Sequence, residues 1–73
     1  MDLQSFCTEL VDVIDLDNVT SINPDEKLTE IENFDSIATL GIMTFFEIEF
    51  DKQINGQDIW DKEMTARQLF ETL

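Results

Sequence analysis

The sequence predicts a small all-α fold, three main helices and a short one between the second and the last, in a single domain over residues 1–73. Three observations predict it. Apolar residues recur at helical spacing in two long segments. Helix-start signals stand ahead of the periodic runs: Asp2, Asp35, and Thr65 with Gln68 three residues on. Turn formers gather in one long polar connection and at Asn55-Gly56, not inside the periodic runs.

The first helix is expected from about Leu3 to Ile14, where Leu3, Phe6, Cys7, Leu10, Val13 and Ile14 share one face. Cys7 lies on that apolar face and reads as a small buried hydrophobe, not a reactive thiol. A connection follows from about Asp15 to Asp35, with Asn18, Ser21, Asn23 and Pro24 as turn formers. Leu28, Ile31 and Phe34 recur at threes in it, so the loop is expected to pin itself to the core. Connections this long in so short a chain are often functional.

The second helix, Ser36 to Phe50, is the most apolar. Leu40, Met43, Phe46 and Phe50 form one stripe, assigned to the core. Ile37, Gly41, Thr44, Phe45 and Ile48 form a second. A helix apolar on two sides is either central to a bundle or partly covered by a partner. A short third helix is expected around Gln57 to Asp61. The capping box Thr65-Ala66-Arg67-Gln68 opens a last helix to about Thr72, with Ala66, Leu69, Phe70 and Leu73 inward.

Seventeen acids stand against four bases (Lys27, Lys52, Lys62, Arg67), a formal net charge of -13. This balance repels nucleic acid and anionic membrane surfaces and favours partners with basic docking patches. At 42% hydrophobic residues the chain is too apolar for a disordered acidic tail. Met1 is not followed by a basic region and an apolar run, and no stretch approaches the roughly 20 apolar residues of a membrane span. With the lone cysteine, these features predict a cytoplasmic protein without a disulfide or membrane insertion.

With no His and no Cys pair, zinc sites and His-dependent nucleophiles are excluded, and two glycines cannot make a Gly-rich phosphate loop. Asp15, Asp17 and Glu26 match three positions of an EF-hand loop, but Thr20 stands where the sharp turn requires Gly and Val19 offers no side-chain ligand. No metal site and no catalytic residue is therefore expected. What remains is Asp35-Ser36-Ile37, where the long loop meets the most apolar helix. A hydroxyl at a helix's first turn faces free backbone N–H groups and the positive end of the dipole, which would favour an attached phosphodiester.

Taken together, Phe34-Asp35-Ser36-Ile37-Ala38-Thr39-Leu40, Phe46-Glu47-Ile48-Glu49-Phe50-Asp51 with Ile54, and Met64-Thr65-Ala66 with Leu69 resemble the acyl carrier proteins of the phosphopantetheine-binding superfamily. The likeness covers nearly the whole chain. It implies a right-handed four-helix bundle that is not an enzyme, with a covalent 4'-phosphopantetheine on Ser36 and Asp35 as motif residue and helix cap. The arm would come from coenzyme A through a magnesium-dependent phosphopantetheinyl transferase. The arm's thiol would carry an acyl or aminoacyl thioester between a loading ligase or acyltransferase and a cargo-using biosynthetic enzyme. Asn33-Phe34 stands where the fatty-acid-synthesis branch commonly has Gly-x, and Gly41, Thr44 and Ile48 replace outward acids. Both departures point to a specialised pathway.

The same resemblance puts Trp60 near the mouth of a cargo cavity, and the plainer expectation, which has the greater weight, is a Trp that closes the edge of the bundle. Partners are expected to dock on Ile37, Thr44, Phe45, Glu47 and Ile48, with nearby acids steering basic enzymes to a monomeric chain. The rival expectation is an acidic docking module of the same fold that is never modified.

Overall fold

Local capping decides where each helix begins in the computed structural model, which describes residues 1–73. Helix α1 spans Leu3–Ile14, with the Asp2 carboxylate accepting from the Ser5 amide at 2.8 Å. Helix α2 spans Ser36–Phe50, α3 Gly56–Asp61 and α4 Ala66–Glu71. At α4 the capping box closes in both directions: Gln68 N–H donates to Thr65 Oγ1, and Thr65 N–H donates to Gln68 Oε1. Both long helices stop at an aspartate in the left-handed region, Asp15 and Asp51, each at φ 50°. Glycine is the usual residue there.

The fold is all-α, with four helices and no strand. No helix is long and apolar enough to cross a membrane. The connection after α1 is held down as its pattern predicted. Leu28 is fully buried at the start of a single 3-10 turn, Leu28–Glu30, and Ile22 and Phe34 are also buried. Asn18 Nδ2 donates to the Glu32 carbonyl at 2.9 Å, which ties the two ends of the loop together. Leu28 N–H donates to the Met64 carbonyl, and Arg67 N–H to the Pro24 carbonyl, so the loop also braces the entry to α4.

The core is one cluster drawn from all four helices and the loop. Its centre is aromatic. Phe6 of α1 meets Phe45, Phe46 and Phe50 of α2 and Phe70 of α4 at centroid distances of 5.4–6.3 Å. Such tilted and edge-on pairs add to the stabilisation from burial alone.

The core face of α2 differs from the expected one. Ala38, Thr39, Ile42, Phe45 and Phe46 are buried. Leu40 is 59% exposed, and Met43 and Phe50 are only partly covered. Of the expected stripe only Phe46 is fully buried. The helix carries apolar residues almost all round, so spacing identified a helix without choosing which side faces inward.

Two glycines mark close approaches. A Cβ on Gly41 would lie 2.7 Å from the Val13 carbonyl oxygen, where the last turn of α1 crosses α2. One on Gly56 would lie 2.7 Å from Met43 Sδ and 2.9 Å from Thr39 Cγ2. Asn55-Gly56 is therefore not a reverse turn. Asn55 caps α3 through the Gln57 amide, no glycine has positive φ, and Gly56 is the buried first residue that lets α3 lie on α2.

Helix propensity and packing give opposite signs at Gly41. Propensity favours Ala by about 1 kcal/mol in a helix interior. Overpacking against a backbone carbonyl costs about 1–3 kcal/mol, because the carbonyl cannot rotate away as a side chain can. Gly41→Ala is expected to lower the melting temperature. A rise in a thermal melt would mean that α1 and α2 do not cross this closely.

Candidate functional site

Ser36 is exposed and is the first residue of α2, the longest helix. Asp35, in extended backbone, turns its carboxylate back over the helix. Oδ1 accepts from the Ile37 and Ala38 amides, both at 3.0 Å. This changes one expectation. Two of the first-turn donors that a phosphodiester on Ser36 would meet are already taken by Asp35. The orientation of the dipole remains, but Asp35 brings its own negative charge to the same end.

Thr39, which the sequence reading did not single out as a site residue, holds this turn in place. It is 6% exposed. Its hydroxyl donates to the Asp35 carbonyl at 3.0 Å and accepts from Trp60 Nε1 at 2.9 Å. Both hydrogen-bonding roles are thereby used, and the buried oxygen is satisfied. Trp60 also packs on Phe34, with centroids 5.4 Å apart. The residues before and after Asp35-Ser36 are thus linked through one indole on α3. A threonine one turn into a helix whose cap is an aspartate was the available signal, but its partner is 21 residues away.

Between α2 and α3 lies an open groove of about 460 Å³, with Ser36 at its edge and Leu40, Met43 and Trp60 as its apolar wall. No charged residue lines it. Asn55 accepts from the Gln57 amide and Gln57 donates to Asp61, so these lining groups bond within the protein. Trp60 lies on α3 and lines this groove together with Ser36, while its ring packs on Phe34 and its Nε1 bonds to Thr39. The space it borders is an open groove, not an enclosed cavity.

Of the residues expected to meet partners, Ile37 and Ile48 are the most exposed large apolar side chains, at 76% and 73%. Thr44 and Glu47 are exposed as well. Phe45 is not: it is 8% exposed, with its ring against Phe6, Phe46 and Phe50. It belongs to the core and is withdrawn from the docking face. Leu40, assigned to the core from its spacing, takes an exposed place beside Ser36.

Cys7 is buried on α1, and burial raises its thiol pKa, in keeping with a packing role. No three acidic or thiol side chains converge in a way that could hold a metal ion. Asp25 has its pKa lowered by the hydrogen bond and charge of Arg67, whose Nε lies 2.6 Å away. That exposed pair and those of Lys27 with Glu63 and Lys62 with Asp58 engage only three of the seventeen acids.

The remaining acids repel one another across a small surface. Raising salt from low to moderate concentration is expected to raise the melting temperature as the screening length shortens. A flat melting temperature over that range would show that this repulsion is negligible.

Comparison with family models, curated proteins and solved structures gives no match for this chain.

Proposed function

We propose that the chain is an acyl-carrier-like protein whose Ser36 bears a 4'-phosphopantetheine arm, and that it delivers an acyl or aminoacyl group to partner enzymes in a specialised biosynthetic pathway in the cytoplasm. The observation that carries this reading is the setting of Ser36. An exposed hydroxyl stands at the first position of the longest helix, on a turn held by Asp35, Thr39 and Trp60, at the edge of an uncharged apolar groove.

The residues present suit the attachment. A transferase can reach Ser36 Oγ without unfolding anything, because the serine is exposed and the helix start is capped by its neighbour. In the transfer, Oγ forms the new ester bond to the phosphorus of coenzyme A next to pantetheine. The bond from that phosphorus to the nucleotide half breaks, and the hydroxyl proton passes to a base of the transferase. When attached, the arm supplies a terminal thiol that holds cargo as a thioester. The chain's own part is to fix the attachment point on a rigid helix end, to offer Leu40, Met43 and Trp60 beside it, and to steer basic enzymes with its acids.

The rival reading is an unmodified acidic docking module. It draws on the exposed Ile37 and Ile48, which need no arm to bind a partner, and on Asp35 occupying the donors at the helix end. Intact mass after incubation with coenzyme A, magnesium and a broad-specificity phosphopantetheinyl transferase separates the two. The carrier gains the mass of one arm. A chain that keeps its original mass is the docking module.

A further inference from the structure

The Asn55-Gly56 pair has a chemistry of its own that its place in the fold suppresses. We propose that Asn55 is a self-modification site: when α3 opens, its side-chain amide is converted to aspartate and isoaspartate with water as the sole co-reactant, and the folded α3 holds that reaction back. This is independent of whether Ser36 carries an arm.

The reaction starts from the chain's own atoms. The Gly56 backbone nitrogen attacks Asn55 Cγ. A bond forms between them, the bond from Cγ to Nδ2 breaks, and ammonia leaves with the Gly56 amide proton. Water then opens the cyclic imide at either carbonyl. Opening at Cγ gives aspartate, and opening at the main-chain carbonyl gives isoaspartate, in which the chain runs through Cγ. No electron is gained or lost. Glycine makes the pair reactive, because it has no Cβ to crowd the approach and its backbone is the freest of any residue. The other asparagines, Asn18, Asn23 and Asn33, precede Val19, Pro24 and Phe34. Valine and phenylalanine crowd the attacking nitrogen, and proline has no N–H to lose.

The fold blocks the first step. Ring closure needs the Gly56 nitrogen on the same side as Asn55 Cβ, and the Asn55 ψ of 114° turns it away. Asn55 Oδ1 accepts from the Gln57 amide at 2.9 Å, and the Asn55 carbonyl from the Asp58 amide at 3.0 Å. Rotating Asn55 into the reactive arrangement would carry α3 off α2. Gly56 is buried against Met43 and Thr39, Ile59 is fully buried, and Trp60 Nε1 is bonded to Thr39. These contacts are given up together, so the reaction rate follows the fraction of molecules in which α3 is open. The two products have different consequences. Aspartate caps a helix as well as asparagine does. Isoaspartate adds a methylene to the main chain just before α3, which shifts Gly56 from its seat on Met43 and Trp60 from Thr39. Asn55, Gly56 and Trp60 line the groove with Ser36, so that product dismantles it.

The test uses the full-length chain in warm, mildly alkaline buffer, once folded and once unfolded in guanidinium chloride. Proteolytic mapping at intervals separates the asparagine, aspartate and isoaspartate forms by mass and retention. Conversion is expected at Asn55 ahead of the other asparagines, with both products. It should be at least about tenfold slower in the folded chain than in the unfolded one, which corresponds to an opening free energy of about 1.4 kcal/mol or more. Trp60→Phe keeps an aromatic ring but cannot donate to Thr39. It is expected to speed conversion in the folded chain by about threefold or more and to leave the rate in guanidinium unchanged. The folded-to-unfolded ratio of the wild-type chain needs no variant, so the test stands even if Trp60→Phe fails to fold. Equal rates in the folded and unfolded wild-type chain would overturn the proposal. So would persistence of asparagine at position 55 in guanidinium, earlier conversion at Asn18, Asn23 or Asn33, aspartate without isoaspartate, or a rate in folded Trp60→Phe equal to that of the wild type.

Discussion

Ser36→Ala is expected to stay at its unmodified mass under conditions that load the wild-type chain completely, while folding as the wild type does. The two halves of this expectation have separate causes. Loading needs the oxygen, and alanine has none. Folding does not need it: the side-chain caps at this helix start come from Asp35 to the Ile37 and Ala38 amides, and the turn is tied to α3 through Thr39. Alanine is also the best helix former. Intact mass and a thermal melt on the same sample read both halves. If Ser36→Ala still gained one arm, the attachment would lie at another residue, with Ser5 and Ser21 the remaining serines. Asp35→Ala is the informative contrast. It removes a cap, at about 0.5–2 kcal/mol, and loosens the same turn without removing the nucleophile. It should melt lower and load more slowly, but to completion.

Phe6→Ala is expected to bring the fold close to collapse. The Phe6 ring is fully buried and is the one through which Phe70 of α4 joins the aromatic cluster of α2. Truncation opens a void between three helices, and Phe→Ala in a core costs about 3–5 kcal/mol. At about 0.05–0.15 kcal/mol per residue, a chain of 73 residues has roughly 4–11 kcal/mol in all. The loss is thus a large share of the total, and the melting temperature should fall by about 12 °C or more. Phe6→Leu, which keeps most of the volume, should recover the greater part of it. A fall of only a few degrees for Phe6→Ala would show that the centre of the core lies elsewhere.

Much was determined by the sequence alone, because it is carried by local chemistry. The start of α1 behind Asp2, of α2 behind Asp35 and of α4 behind Thr65 follows from side chains that cap amides two or three residues on. No tertiary contact is needed to make those bonds. The descent of the long loop into the core at Leu28 and Phe34 was legible for a similar reason: apolar side chains at regular spacing in a polar segment must find cover. The setting of Ser36 at a helix start was legible in the same way.

The tertiary structure alone decided which side of α2 faces inward. Leu40 and Phe45 are both large and apolar on a helix without a polar face, so burial of one and exposure of the other depends on where α1 and α4 place Phe6 and Phe70. Gly56 likewise looked like half of a turn and is a contact surface, a role that exists only once Met43 and Thr39 are against it. The Trp60–Thr39 bond and the groove between α2 and α3 belong to the same class. They join residues far apart in the chain, and a spacing rule that sees about one helical turn at a time cannot reach across that separation.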